Sequence, residues 1–204
     1  MSPQPIRIVN NLNGNLEEMI FRDDLTREHI EEAETQWGNI RRSAATKNGM
    51  LPEHHHWDWT KKIEALGLLG YRYMAIQSSS GDFEGLMMLS TVKRPALLPP
   101  DIGKPMVYIE FLETAPWNLK LLTSTPRYKG IGSRLFEASV LYSFDEGFKG
   151  RVGLHSLPQS ESFYRDVCCL TCVIPEDPIS QNLPYYEMST NQAKIFISER
   201  DGDA

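Results

Sequence analysis

Cysteines are few in this chain, and no apolar stretch approaches the ~20 residues that a helix needs to cross a membrane. The three cysteines, Cys168, Cys169 and Cys172, lie within five positions of one another, and their odd number argues against a disulfide framework. We expect them to be buried thiols in a strand. The N-terminal residues MSPQPIRIVNN lack the apolar core of a signal peptide. A cytoplasmic protein with no membrane partner is therefore expected.

Positive charge is also in short supply. The 204 residues carry 21 Lys and Arg against 27 Asp and Glu, which gives a net charge of -6. An acidic chain is a poor binder of a phosphate backbone, so nucleic acid is not an expected partner. The same charge mildly favours cationic small substrates. The length suits one substantial domain with its own core.

Two common phosphate-binding motifs are missing. No Gly-Lys-Ser/Thr ending is present, and residues 133–135 contain no third glycine that would complete Gly-x-Gly-x-x-Gly. What is present is Arg127-x-x-Gly130-x-Gly132, between an apolar run at 105–117 and a long helical pattern. Glycines allow a sharp turn, and the amides that open a helix lie at the positive end of its dipole. This arrangement favours a diphosphate that is bound but not cleaved. An ordinary loop with a helix cap is the alternative.

The remaining pattern predicts a regular succession of elements without internal repeats. Strands are predicted at 6–10, 70–78, 84–92, 105–114 and 151–156, with further strand material at 167–175, 184–189 and 193–198. Helices are predicted at 26–42, 54–66, 133–147 and 160–167. Residues 43–53 are predicted to form a loop, and the tail 199–204 to be disordered.

The glycine loop and its context resemble the GNAT acetyltransferase superfamily. Arg127, Gly130 and Gly132 fill the defining places of that family's pyrophosphate-binding motif, Gln/Arg-x-x-Gly-x-Gly/Ala, and the element order is similar from Ile6 to about Ile197. The resemblance implies an α/β (α+β) fold, with a mixed, mostly antiparallel central sheet flanked by helices and splayed around an acyl-CoA site. It also implies a single GNAT-like domain over residues 1–204, with its core at about 6–197.

The cosubstrate implied by the resemblance is acetyl-coenzyme A (acetyl-CoA), with no metal. The strand at 105–114 would continue towards Leu122, and the backbone at 121–123 would receive the pantetheine arm. Lys129 and Arg134 flank the glycine loop and would contact the cosubstrate; the alternative is that both are solvated surface charges. The residues expected to bind the cosubstrate are Leu121, Leu122, Thr123, Arg127, Tyr128, Lys129, Gly130, Ile131, Gly132, Ser133 and Arg134.

Tyr164 is the first candidate for catalysis. The pair Phe163-Tyr164 resembles one in the family whose tyrosine commonly donates a proton to the coenzyme A thiolate, and an ordinary tyrosine pKa near ~10 suits that role. The likeness ends after Asp166, because the family often continues with Gly-Phe there. A buried aromatic side chain whose hydroxyl is satisfied is the alternative.

Two glutamates are candidates for the base. Glu110 and Glu113 are three positions apart, so they point to opposite faces of a regular strand. Glu110 lies inside an apolar run, where partial burial would raise its pKa towards the working range of a base. At most one of the two therefore faces the cleft unless a β-bulge intervenes, and Glu113 lies nearer to the bulge that the resemblance implies. We favour Glu110 slightly for the catalytic role, and His155 is a weaker second candidate for proton transfer.

The segment HHHWDW (54–59) has the most unusual local composition. Neighbouring side chains on a helix point about 100 degrees apart, so three adjacent histidines do not easily share one metal ion. The resemblance implies that this part of the chain lines the acceptor pocket, which makes Glu53, Trp57, Asp58 and Trp59 candidates for binding the acceptor. The alternative is a helix start with solvated histidines and inward-facing tryptophans.

The function implied is N-acetyl transfer from acetyl-CoA to a primary amine of a small molecule or a peptide, by direct attack within a ternary complex. A non-catalytic domain that binds coenzyme A or another partner with the same fold is the alternative. Whether the chain forms a homodimer is left open.

Overall fold

Within the residues that the computed structural model describes, 4–47 and 51–201, the chain forms nine strands and three α-helices. The strands are β1 (Gln4–Asn10), β2 (Leu16–Arg22), β3 (Tyr71–Ser78), β4 (Phe83–Ser90), β5 (Val107–Thr114), β6 (Tyr128–Lys129), β7 (Val152–His155), β8 (Thr171–Asp177) and β9 (Leu183–Met188). The α-helices are α1 (Arg27–Lys47), α2 (Ile131–Asp145) and α3 (Thr190–Asp201). No helix in these ranges is long and apolar enough to span a bilayer.

The chain folds into two compact units, one made of residues 1–88 and 111–135 and the other of residues 89–110 and 136–204. The boundaries fall inside β4, β5 and α2, so these elements contribute to both units. In the first unit the strand order is β6-β1-β2-β3-β4-β5, and in the second it is β5-β7-β9-β8. The expected mixed, mostly antiparallel sheet flanked by helices is confirmed, whereas the single domain stays a prediction.

Helix α1 forms part of the core of the first unit. Ile30, Ala33 and Trp37 recur at helical spacing and are fully buried in one cluster with Tyr73 and Phe83. The helix continues to Lys47, five residues beyond its predicted end. The extension is physically reasonable because the segment SAATK contains two alanines, which favour helix, and no glycine or proline.

The helix predicted at 54–66 is wrong in type and extent. Only Trp59–Ala65 is helical, as a 3-10 helix, and the residues before it form turns. Asp58 adopts an extended backbone, and its side chain accepts a hydrogen bond from the Thr60 amide. This side-chain cap starts the helix after Asp58 and not at the histidines.

Strand β2 was not predicted from the sequence. It pairs antiparallel with β1, with Met19 opposite Ile6, and Met19 is its only fully buried residue. Leu16 is exposed and two glutamates lie within the strand, so the expected alternation of apolar and polar residues is weak. Pairing with its neighbours, and not its own pattern, defines this strand.

The second unit places one parallel pair among antiparallel ones. Strands β5 and β7 run parallel from Val107 opposite Val152 to Ile109 opposite Leu154, while β7–β9 and β9–β8 are antiparallel. Helix α2 provides the crossover that a parallel pair requires. Its Phe136 ring lies 5.4 Å from the Phe196 ring on α3, which closes the core of this unit.

The strand predicted at 193–198 is wrong, because these residues belong to helix α3. Ser189 and Gln192 form a reciprocal capping box: each side chain accepts a hydrogen bond from the other residue's amide, at 3.3 and 2.9 Å. Ala193 and Phe196 are buried three positions apart, as on a helix face. Of the tail predicted to be disordered, 199–201 lie in α3 and 202–204 lie outside the described residues.

The prediction of buried thiols in a strand is wrong for all three cysteines. Cys168 is buried but follows the π-helical turn at Phe163–Val167, and Cys169 and Cys172 are exposed. Cys172 lies on β8, which among the described strands is the last of the sheet and so has one edge that none of them covers.

Candidate active site

The predicted glycine loop lies at the start of α2. Gly130 directly precedes the helix and has φ +90°, a left-handed conformation that favours glycine, and a Cβ placed on it would meet nothing within 4 Å. The backbone is therefore open to an incoming group where the first helical amides lie without intrahelical partners. Such a helix start suits an anion.

Gly85 allows α2 to pack closely against β4. A Cβ on Gly85 would lie 2.7 Å from the Ile131 side chain and 2.8 Å from that of Leu135. A larger residue at this position would displace both side chains, so Gly85 lets the helix that carries the glycine loop lie close to β4. The sequence contained the signal, a glycine inside a buried apolar strand, but its role was not predicted.

Glu84 holds the segment that precedes the glycine loop through side-chain hydrogen bonds. This fully buried carboxylate accepts hydrogen bonds from Trp117 Nε1 at 2.7 Å, Asn118 Nδ2 at 2.7 Å and Arg127 Nη1 at 3.3 Å. Arg127 Nη1 also donates to Asp82 at 2.8 Å. The first residue of the motif thus anchors the loop to β4, and its contact with a cosubstrate stays a prediction.

The loop is fastened a second time through β6. Asn118 Oδ1 accepts from the Tyr128 amide at 2.9 Å, and the Tyr128 hydroxyl donates to Glu17 at 2.8 Å. Tyr128 and Lys129 pair with the end of β1. Hydrogen bonds to two other strands therefore hold the backbone just before Gly130.

The strand expected to run from 105 towards Leu122 ends at Thr114. Pro116 begins a short 3-10 helix, Pro116–Asn118, and the amides of Leu122 and Thr123 both donate to the Leu119 carbonyl. Proline cannot donate to a ladder, so it ends the strand. The segment 121–123 is a turn, and its contact with the pantetheine arm stays a prediction.

Glu113 is buried in the first unit beside three polar partners. Its carboxylate accepts from Trp59 Nε1 at 2.6 Å, lies 3.3 Å from Arg41 Nη1 and lies 3.7 Å from His54 Nε2. Burial raises the pKa of Glu113 to about 7, although the nearby Arg41 guanidinium acts in the opposite direction. A carboxyl group that titrates near neutral pH is suited to accept a proton.

Arg41 connects α1 to the 54–59 segment. This buried guanidinium pairs with Glu34 on the same helix, contacts Glu113 and donates to the Trp57 carbonyl at 2.8 Å. The Trp59 amide donates to Glu34 at 3.1 Å. The buried charges therefore position the backbone of a segment that has little helical structure of its own.

The histidines do not share one environment. His55 and His56 are exposed, while His54 is buried, and burial lowers the pKa of His54 to about 4. Over residues 4–47 and 51–201, no group of three or more His, Cys, Asp or Glu side chains is placed to hold a metal ion.

The four candidates for acceptor binding divide by exposure. Trp59 is fully buried and donates to Glu113, and Asp58 caps the 3-10 helix. Glu53 and Trp57 are half-buried. Their contact with an acceptor stays a prediction, and of the two tryptophans only Trp57 has exposed surface.

Lys62 was not predicted, and its ammonium lies over aromatic faces. Lys62 Nζ is 3.4 Å from the centroid of the Phe111 ring and 4.8 Å from that of Trp57, and these two rings meet edge to face. Burial lowers the pKa of Lys62 to about 8, helped by Arg41 and opposed by Glu113. Nothing in the sequence around Lys62 indicated this arrangement, because Phe111 is 49 positions away.

In the second unit, Glu110 and His155 have partners of their own. Glu110 accepts from Lys93 Nζ at 3.1 Å. His155 lies between the Tyr108 hydroxyl, 2.6 Å from Nδ1, and Asp177, 3.0 Å from Nε2. This Tyr-His-Asp chain could move a proton along hydrogen bonds, and only its histidine was considered from sequence.

Tyr164 lies in a π-helical turn, Phe163–Val167, and is buried against aromatic rings. Its ring centroid is 5.1 Å from that of Phe163 and 6.4 Å from that of Phe136. Burial raises the pKa of Tyr164, so its hydroxyl keeps the proton at neutral pH. The role as a proton donor stays a prediction.

Comparison with known proteins finds likeness in structure only. No protein-family model and no curated protein matches the sequence. Among solved structures, a GNAT-family acetyltransferase from Staphylococcus aureus has a TM-score of 0.53 at 9% identity, covering 84% of this chain and 99% of that one. The GNAT domain of S. lividans PAT has a TM-score of 0.53 at 11% identity, covering 90% and 96%.

A third likeness is to a spermidine N-acetyltransferase SpeG chimera from Vibrio cholerae and hSSAT. Its TM-score is 0.51 at 12% identity, with 86% of this chain and 98% of that chain covered. Sequence identities this low carry no information about activity, but the three solved structures share one architecture with this chain. The chain therefore has the fold of the GNAT acetyltransferases.

Proposed function

We propose that this protein transfers an acetyl group from acetyl-CoA to a primary amine of a small molecule or a peptide. The observation that carries the proposal is the open, left-handed Gly130 at the N-terminus of α2, in a chain with the GNAT fold. Backbone amides at this position suit the diphosphate of coenzyme A. The test is release of free thiol from acetyl-CoA in the presence of a panel of amines and peptides. No release with any amine would leave only a binding function.

The proposed chemistry is direct attack. The amine nitrogen forms a bond to the thioester carbon as the carbon–sulfur bond breaks. The amine proton passes to a base, and the thiolate receives a proton from an acid. We assign the base to Glu113 in preference to Glu110, since its pKa of about 7 suits that task and Glu110 is paired with Lys93.

The proposed acceptor is a cation. The rings of Trp57 and Phe111 already bind the ammonium of Lys62, and Glu113 adds negative charge close by. The net charge of -6 acts in the same direction at longer range. The polyamine that the SpeG chimera is named for belongs to this chemical class.

Replacing Tyr164 with phenylalanine tests the proposed acid. The ring and its packing remain, so folding should be unaffected, while the thiolate loses its proton donor. We expect kcat to fall roughly 10²-fold or more, which is a usual effect for a positioned acid, with coenzyme A affinity unchanged. Steady-state kinetics and calorimetry measure the two quantities. An unchanged kcat would assign Tyr164 a packing role only.

Replacing Trp57 with alanine tests the acceptor site. Loss of one aromatic face should raise KM for a diamine or polyamine about 5-fold to 30-fold, because a cation–π contact contributes about 1–2 kcal/mol when partly desolvated. KM for acetyl-CoA should change little. His56→Ala is the control, since His56 is exposed and only one position away. Equal effects of the two substitutions would argue against a cationic acceptor at Trp57.

A further inference from the structure

The amine of Lys62 lies against the two aromatic rings that the proposed function gives to the acceptor amine. Its Nζ is 3.4 Å from the Phe111 ring centroid and 4.8 Å from that of Trp57, and its charge is attracted by Glu113. These are the features that the proposed function assigns to the acceptor. The protein therefore presents one of its own primary amines to the same groups.

We infer that Lys62 is itself an acetylation site, modified by the chain's own transfer activity. The inference rests on the proposed function, since it uses the same acetyl donor and the same site. It adds an internal acceptor, which needs no second substrate.

The position of Lys62 is defined by its backbone. Its carbonyl accepts a hydrogen bond from the Tyr73 hydroxyl, and the next residue, Ile63, is buried in the core of the first unit. The half-buried side chain then extends along the aromatic rings. The amine is therefore presented at one place, as a bound acceptor would be.

The chemical state of Lys62 also suits acyl transfer. A neutral amine is the nucleophile, and burial with the repulsion of Arg41 lowers the pKa of Lys62 to about 8. The neutral Nζ attacks the thioester carbon, an amide bond forms and the carbon–sulfur bond breaks. The amine proton goes to Glu113, the coenzyme A thiolate takes up a proton from solvent and leaves as the thiol, and Glu113 then returns its proton to solvent. Atoms and charges balance without another reactant.

Lys61 supplies the contrast within the same helix. It is adjacent in sequence, its side chain is 83% exposed, and it pairs with Asp58 at 3.7 Å. A reaction governed by exposure alone would modify Lys61 before Lys62. A reaction at the site would modify Lys62.

The test is incubation of the full chain with acetyl-CoA that carries a deuterated acetyl group, with no amine added. Intact-mass and peptide analysis should find one labelled acetyl group per chain, on Lys62. The rate per chain should not depend on protein concentration, since the reaction is intramolecular. Lys62→Arg, which keeps the cation and is checked for folding by circular dichroism, should lose the label. Lys61→Arg should keep it.

A second donor separates catalysis from ordinary reactivity. A short acetyl thioester without the nucleotide cannot use the glycine loop, so it should label Lys62 at least tenfold more slowly than acetyl-CoA at equal concentration. Equal rates with both donors, label spread over several lysines, or no label would each overturn the inference. Thiol release with an added amine, measured in the same preparation, tests the proposed function separately. Turnover without label on Lys62 would reject the internal acceptor alone.

Discussion

Gly132→Asp is expected to abolish coenzyme A binding while leaving the protein folded. Gly132 is the second residue of α2, where an aspartate is compatible with a helix and interacts favourably with its dipole. The same carboxylate would repel a diphosphate at the helix start and cover its amides. Gly130→Asp should also prevent binding, but φ +90° makes that variant strained. Gly132 is therefore the sharper test.

Calorimetry and thermal unfolding measure the effect of Gly132→Asp. Coenzyme A at about 100 times its Kd should stabilise the wild type by about 2.7 kcal/mol, and should not change the melting temperature of the variant. Asn191→Asp is the matched control, because it adds the same charge to the first turn of α3. If Gly132→Asp still binds coenzyme A with wild-type affinity, the loop is only a helix cap.

Glu113→Ala is expected to lower the free energy of unfolding by about 3–5 kcal/mol at pH 8, where Glu113 is largely ionised. The substitution leaves the buried Arg41 with fewer partners and removes the acceptor of Trp59 Nε1. Denaturant unfolding measures the loss. Glu110→Ala on the same strand is the control, since its partner Lys93 is half-exposed and the expected cost is about 1 kcal/mol or less.

Glu113 should also make the stability of the folded protein depend on pH. The pKa of Glu113 is raised in the folded protein to about 7 from an ordinary value of 4.5. Between these values the folded chain holds the proton more tightly than the unfolded chain, so ionisation costs stability as pH rises. Relative to Glu113→Gln, the wild type should lose stability from pH 5 to pH 7.5. A difference that stays constant or grows over this range would contradict the raised pKa.

Local patterns were sufficient for much of the architecture. The strands at 70–78, 84–92, 105–114 and 151–156 and the helix at 133–147 are confirmed, because each combines a clear periodicity with a nearby breaker. The glycine loop was also located from sequence alone. A positive φ favours glycine, so the turn at Gly130 is a local feature that the residue type itself indicates.

The secondary structure predicted from sequence is wrong where the conformation of a segment depends on residues far away in the chain. Strand β2 has a weak pattern and is defined by pairing with β1 and β3. The 54–59 segment contains residues that could form a helix, but Arg41 binds the Trp57 carbonyl and Glu34 binds the Trp59 amide, so both backbone groups have partners outside the segment. Helix α3 is different, since its capping box, Ser189-x-x-Gln192, is a local signal in the sequence.

The sequence by itself determined the resemblance and the place of the glycine loop, because both depend on residue types at short spacing. Tertiary structure alone decided which charges meet. Glu113 and Arg41 are 72 positions apart in the sequence, yet they meet in the core. Burial there raises the pKa of the Glu113 carboxyl group, and the Arg41 guanidinium opposes that rise. The contact of Lys62 with Phe111 arises in the same way, when a short helix packs beside β5. Desolvation and long-range contacts produce these properties, and neither is written in a local pattern.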